Sequence, residues 1–283
     1  MTSLFVEQLT VIDCAYLDAA RGLVGESWIV DIELIGDLDE QSMVLDFGEV
    51  KRRLKQAIDG SVDHTLVVPR LAPELSLSQS GAKTELVFRS ELGAFEYQSP
   101  PVAVSLVEAD AIDAAAVAAY LKPRLAEVLP PNVSELRLHL RNERIEGAYY
   151  HYTHGLKKHK GHCQRIAHGH RSRIEIRVDG QRAPTLEAEV AARWLDIYLG
   201  TNEDLVARGN GRLRFAYQAP EGRFEIALPE ARVERMDGDT TVERIAEWLA
   251  QLASPGSACG QLEIRAYEGV MKGAVARRTR AAR

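Results

Sequence analysis

The chain has 283 residues, a formal charge of −6 and apolar and charged fractions ordinary for a globular protein. That length supports one large core or two medium domains. The acidic balance excludes nucleic-acid binding by bulk charge, and no stretch is long and apolar enough to span a bilayer.

Three cysteines, Cys14, Cys163 and Cys259, form no CxxC pair. The N-terminus lacks a basic region followed by an apolar core. An odd cysteine count without such a leader points to a reducing, cytoplasmic setting. The basic run Arg277, Arg278, Arg280 and Arg283 reads as a solvated, disordered tail.

The two halves read in one order: strand, strand, helix, hairpin region, helix, strand. Residues 28–35 alternate around β-branched side chains and predict a strand. Phe47, Val50, Leu54 and Ile58 recur at helical spacing behind Asp46, a good N-cap. Strands are expected at 84–88 and 102–107, and an alanine-rich helix at 112–128 stops before Pro130-Pro131. Residues 136–140 close the half as a strand. Residues 147–150 also read as strand, so no flexible linker separates the halves. The second half then repeats the order. It has a strand at 174–178, a helix at 186–199, a hairpin at 212–217 and 223–228 turning at 220–222, a helix at 240–252 and a strand at 262–267. Helices alternating with paired strands imply an α+β fold with helices covering one sheet face. The division is 1–145 and 146–283.

Six of the eight histidines lie between His151 and His170. His168-Gly169-His170 opens a predicted strand, where residues i and i+2 share a face and both imidazoles can reach one ion. His154, on an earlier strand, can supply a third nitrogen. Three imidazoles with a fourth position open suit catalytic zinc. Turn or surface histidines are the bland alternative. Cys163 stands among His162, Gln164 and Arg165, with Lys157, Lys158 and Lys160 near in sequence. Nearby positive charge draws a thiol toward the thiolate, as a base or nucleophile needs. Burial as a small hydrophobe is the alternative, and is the reading for Cys14 and Cys259.

These residues together resemble the 6-pyruvoyltetrahydropterin synthase / 6-carboxytetrahydropterin synthase family in a tandem form. The second half carries His154, Cys163, His168-Gly169-His170, Thr241-Val242-Glu243 and Tyr267-Glu268. The first half carries Met43-Val44-Leu45-Asp46-Phe47 and then Asp63-His64. Each keeps what the other lacks. In the second half Asn202-Glu203 replaces the Asp-His pair. In the first, Ala15 replaces the first histidine, Ala19 the cysteine, Val24-Gly25-Glu26 the His-Gly-His, and Ala115 and Asn142 the two glutamates.

The resemblance implies two tandem T-fold units, each a four-stranded antiparallel sheet with two helices on one face. It implies a homo-oligomer, such as a trimer of tandem chains. It implies Zn2+ on His154, His168 and His170, and a triad of Cys163, Asp63 and His64. Glu268, with Glu243, anchors the pterin, and Lys157, Lys158, Lys160 and Arg165 hold the triphosphate. Solvated loop cations, a helix-end pair, a first-turn acid and an edge-strand charge are the plain alternatives for these residues.

The implied activity is a zinc-dependent lyase acting on 7,8-dihydroneopterin triphosphate, of the 6-carboxytetrahydropterin synthase type on the route to 7-deazaguanine compounds such as queuosine. The 6-pyruvoyl product and aldolase-like side-chain cleavage are alternatives within that chemistry. A non-catalytic pterin-binding or scaffold protein, and a structural zinc protein, are alternatives outside it.

Overall fold

The computed structural model describes residues 2–253 and 260–279. Cys259, Arg280 and Arg283 lie outside them.

The chain opens with a long antiparallel hairpin of β1 (Thr2–Asp18) and β2 (Gly22–Gly36). In α1 (Phe47–Asp59), the Asp46 side chain accepts from the Gly48 and Glu49 amides, and Val50, Leu54 and Ile58 are buried. Then come β3 (Leu66–Pro69), the strands β4 (Leu75–Ser80), β5 (Lys83–Ser90) and β6 (Gly93–Ser99), β7 (Val104–Val107), α2 (Ala114–Ala126) and β8 (Val133–Asn142). The second half repeats the series. It contains β9 (Tyr149–His154), β10 (His168–Val178), a short β11 (Gln181–Arg182), α3 (Pro184–Arg193), β12 (Leu195–Thr201), β13 (Leu205–Gly209), β14 (Arg212–Ala219), β15 (Gly222–Pro229), β16 (Val233–Met236), α4 (Val242–Leu252), β17 (Gln261–Tyr267) and β18 (Gly273–Thr279).

The first copy forms a five-stranded sheet ordered β7-β3-β1-β2-β8, and the second a seven-stranded sheet ordered β16-β12-β9-β10-β17-β18 with β11 beside β10. The sheets are therefore larger than the four strands expected of each unit. The hairpin regions do not stay with their own copies. They join through β6 and β15, with Ile226 opposite Tyr97, into a six-stranded sheet ordered β13-β14-β15-β6-β5-β4. Each pair of helices covers one face of its own sheet. Leu54, Ile58, Val117 and Leu121 pack on Ile12, Trp28 and Val30. Ile245 and Leu249 pack on Tyr150, Ile174 and Ile264. A third core, including Leu17, Leu66, Ile166, Tyr198, Phe88 and Phe215, draws on both halves.

Two expectations change and a third gains its bounds. Residues 195–199 are strand, not helix: Asp196 takes a left-handed φ of 55°, which stops α3, and the apolar run behind it pairs with β9. The first strand of the opening pair, expected without bounds, spans Thr2–Asp18, and its alternation breaks at a bulge between Val6 and Thr10, where Gln8 has φ 54°. Arg277 and Arg278 belong to β18, and Arg277 Nε bonds Glu263 at 2.8 Å, so this part of the basic run is ordered by sheet pairing.

The two copies meet most closely where β2 and β10 cross. A Cβ on Gly25 would strike the Tyr152 carbonyl and stand 2.7 Å from His170 N, and one on Gly169 would stand 2.6 Å from Gly25 Cα. Only glycine permits this approach. Gly25→Ala is expected to lower stability by about 2–3 kcal/mol through overpacking, read from urea unfolding. A loss under about 0.5 kcal/mol, the scale of a neutral surface change, would show that the crossing relaxes freely.

Candidate metal centre and proton-transfer site

His154 ends β9 and pairs across the ladder with His168, which begins β10, and His170 follows on the same face. All three are buried. One ligand atom from each lies within 4.8 Å of the others, and His154 Nε2 and His170 Nε2 stand 3.3 Å apart.

Two of the outward nitrogens are hydrogen-bonded, and the third, on His170, faces a carboxylate out of line for a hydrogen bond. His154 Nδ1 lies 3.0 Å from the Thr240 carbonyl and His168 Nδ1 3.0 Å from the Arg165 carbonyl. His170 Nδ1 lies 3.2 Å from Asp13 Oδ1. A carbonyl only accepts, so Nδ1 of His154 and of His168 carries the proton and Nε2 presents its lone pair inward. Burial, followed by the charge of neighbouring histidines, pushes both residues well below the usual histidine range and keeps them neutral.

This donor set fits zinc. Two nitrogens about 2.0–2.1 Å from a tetrahedral ion stand about 3.3 Å apart, whereas two facing lone pairs at that distance repel without a cation.

Cys163 sits in a 3-10 turn, His162–Gln164, beside this cluster. Its sulfur, a ring nitrogen of His64 and one of His168 lie within 4.8 Å of one another. The thiol lies beside the His64 ring, whose Nδ1 is 2.7 Å from Asp63 Oδ2. Burial disfavours the imidazolium of His64, but Asp63 and Cys163 outweigh it and push His64 up to about 10. His64 itself has φ 54°, a strained conformation for a residue with a Cβ, held by its amide donating to the Asp13 carbonyl at 2.7 Å. The cysteine turn is pinned from the β14–β15 turn: Tyr217 OH donates to the Gln164 carbonyl at 2.7 Å and the Glu221 amide to Gln164 Oε1 at 2.7 Å.

The structure thus brings together Cys163, Asp63, His64, His154, His168 and His170 within one chain. The remaining candidates are placed differently. Glu268 is half-buried in the turn after β17, and its charge bears on Tyr152 and Lys272. Glu243 is exposed on the first turn of α4, lining a groove toward Arg277 and Arg278. The cations near Cys163 already hold partners. Lys157 bonds Asp204 at 2.6 Å, Lys158 bonds Asp239 at 2.9 Å, and buried Arg165 grips both oxygens of Glu221 at 2.7 and 3.2 Å. Lys160 is exposed. Sequence reasoning missed Asp13, Ser27, Thr240, Glu221 and Lys272, whose roles come from contacts 56 or more residues away along the chain.

Strand registers also revise the mapping between copies. Gly25 pairs with Ala15 and Gly169 with Thr153, so the counterpart of His154 is Tyr16, not Ala15. Residues 19–21 form only a tight hairpin turn where the second copy has 155–167, so nothing stands for Cys163. Leu66 pairs with Ala15 and Tyr198 with Thr153. Two residues earlier in each, Asp196 matches His64 and repeats its left-handed φ, so Asn202-Glu203 is not the counterpart. In this second location Arg21 donates to both Asp196 oxygens, at 2.9 and 2.6 Å, and to Tyr16 OH at 3.1 Å. An ion pair therefore fills the ground that imidazoles occupy in the other copy.

A duplicated α+β sheet unit, with three inward-facing imidazoles beside a cysteine, histidine and aspartate, defines a tandem protein with a cluster that could hold a metal ion. The chain belongs to the 6-pyruvoyl tetrahydropterin synthase family, whose model matches residues 15–144 and again 145–279. Among solved structures it is similar to 6-pyruvoyltetrahydropterin synthase from Plasmodium vivax, at 19% identity over 50% of this chain and 98% of that one with a TM-score of 0.39; a catalytic-residue mutant of that protein matches equally. The Plasmodium falciparum protein matches at 16% identity over 50% and 97%, also with a TM-score of 0.39. No curated protein matches the chain. Among the described residues no helix is long and apolar enough to cross a membrane.

Two outcomes are expected. The Asp196 side chain is 3% exposed and that of Arg21 35%, so Arg21→Ala should destabilise by about 1–3 kcal/mol, discounted for the half-open arginine. Its zinc stoichiometry should not change, and a second zinc per chain in this variant would contradict the ion-pair reading of that location. In metal-free protein, native His64 binds a proton that the unfolded chain releases above the ordinary histidine value of 6.5. Its contribution is therefore full below that pH and lost as pH rises toward about 10. Chemical denaturation across that window should show stability falling, with a flatter profile in His64→Gln.

Proposed function

We propose that the chain is a zinc-dependent lyase that acts on 7,8-dihydroneopterin triphosphate, releasing triphosphate and cleaving the side chain to leave 6-carboxytetrahydropterin. The observation that carries the reading is the contact of Cys163 with the Asp63–His64 pair at the edge of three inward imidazole nitrogens. Family membership supports tetrahydropterin-synthase chemistry in general terms. Zinc, when bound, supplies a Lewis acid for the oxygens of the substrate side chain.

The protein groups then divide the work. Cys163, as thiolate, takes a proton from a side-chain carbon. His64, held as the imidazolium by Asp63 on its far side, donates from its remaining ring nitrogen toward the Cys163 sulfur and favours the thiolate. Glu268 accepts paired hydrogen bonds from the pterin amino group and ring N–H, a geometry a carboxylate matches. Lys157, Lys158 and Arg165 reach the triphosphate only by exchanging their present carboxylate partners, so Lys160, which has no ion-pair partner among the described residues, is the better first contact.

The test uses zinc-loaded protein and 7,8-dihydroneopterin triphosphate, with triphosphate release and product mass as readouts. The mass separates the 6-carboxy product from the 6-pyruvoyl one. Cys163→Ala is expected to lose at least about a hundredfold in turnover while retaining its zinc. Full activity in that variant removes the cysteine from the mechanism. Zinc-replete parent protein that binds the pterin without converting it establishes a binding protein instead.

A further inference from the structure

Asp13 joins the two halves of this site, and no motif predicted it. It lies on β1 of the first copy and is buried, with 2% of its surface exposed. Its main chain holds the proton-transfer side: its amide donates to Asp63 Oδ1 at 2.9 Å, and its carbonyl accepts from the His64 amide at 2.7 Å. Its side chain holds the metal side. Oδ1 lies 3.2 Å from His170 Nδ1 and accepts from the Ser27 hydroxyl at 2.5 Å, while Oδ2 accepts from Lys272 at 3.1 Å. Ser27 in turn accepts from the Arg171 amide at 3.2 Å, next to His170.

Room for the carboxylate is built in. A Cβ on Gly269, which has φ 68°, would collide with Asp13 Oδ1 and come within 2.9 Å of Ser27 Oγ. The equivalent residue in the second copy is His151, whose Nδ1 instead meets the Gly25 carbonyl at 2.6 Å. The carboxylate is thus present only where it faces the three-histidine cluster.

We infer that Asp13 is a positioning residue that orients His170 for the metal from the opposite copy, and at the same time fixes the loop carrying Asp63 and His64. The inference rests on the reading of the three histidines as a metal site. The Asp13 carboxylate stands 3.2 Å from the outer nitrogen of His170, which has no aligned hydrogen-bond partner among the described residues, and a carboxylate at that nitrogen favours the imidazole that turns its Nε2 lone pair toward the ion and makes it a stronger donor. His154 has the Thr240 carbonyl and hydroxyl behind it and His168 the Arg165 carbonyl, so among the three histidines and the described residues a carboxylate stands behind His170 alone. Lys272, half-exposed at the β17–β18 turn, competes with His170 for that carboxylate.

Zinc affinity, measured by competition with a chromophoric chelator on the full chain, tests this without reference to turnover. Asp13→Asn keeps the shape and removes the charge. It should lose about tenfold to a hundredfold in zinc affinity, with a shifted visible spectrum of the cobalt-substituted protein and a metal-free unfolding midpoint near that of the parent. Affinity within about twofold of the parent, or an unchanged cobalt spectrum, overturns the inference while leaving the metal site intact. Parent protein that binds no zinc overturns the metal reading itself, and the inference with it. Should the asparagine variant not fold, Lys272→Met provides the second arm. Freeing Asp13 from its competitor should raise zinc affinity roughly threefold, the scale of a half-exposed ion pair, and an unchanged or lower affinity decides against the role.

Discussion

The contact between Gly25 and Gly169 sets everything else in place. Two strands from different sheets approach until one backbone lies against the other, closer than any side chain permits. At that distance β2 of the first copy hydrogen-bonds β10 of the second, Ser27 Oγ accepting from the Arg171 amide, and the loop after α1 falls over the end of the histidine cluster. The helix-covered cores remain separate, one to each copy. The site is therefore fixed by the inter-copy crossing, reinforced by the shared six-stranded sheet and its mixed core.

A crossing of two like strands generates two equivalent locations, and the chain has treated them oppositely. One gathers three imidazoles, a thiol and an aspartate–histidine pair. The other gathers Arg21, Asp196 and Tyr16 in a closed ion-pair cluster. Asp196 retains the left-handed backbone of its counterpart His64 although its side chain now serves an arginine. The backbone strain belongs to the fold, since it turns the chain from helix into parallel strand in both copies. Only the side chain carried there differs. The neighbouring ionisable groups follow the same logic. Burial pushes His151 down to about 4 and Glu26 up to about 7, so both lean toward their uncharged forms where no ion is gathered.

Much of this was legible in the residues because it is local or periodic. The helix behind Asp46, the hairpin at Pro220 to Gly222 and the shared face of His168 and His170 each follow from spacing and turn chemistry. What stayed hidden depends on distant partners. An aromatic and aliphatic run such as 195–199 suits helix or strand equally, and only parallel pairing with β9 decides it. The copy-to-copy register slipped by one at Ala15 because the connections after β1 and β9 differ so much in length. The lysines near Cys163 look free in sequence, yet Lys157 and Lys158 are matched to acids contributed by other loops. Asp13 carries no motif at all, and its meaning appears only when β1 is set beside β10.

The division of labour also has an electrostatic reason. A buried ionisable group is tolerated when it is paired, coordinated or neutral. Three imidazoles with lone pairs turned inward are stable only while a cation can stand among them, and a second such cluster would demand a second ion. Replacing it by Arg21 and Asp196 puts a covalently attached cation against a carboxylate and ends that requirement. Once the second location no longer needs imidazoles, β1 is free to carry a carboxylate at Asp13 instead of repeating His151. That carboxylate faces His170, so the absence of the imidazoles in one copy and the presence of an anionic neighbour for His170 in the other are two sides of the same asymmetry.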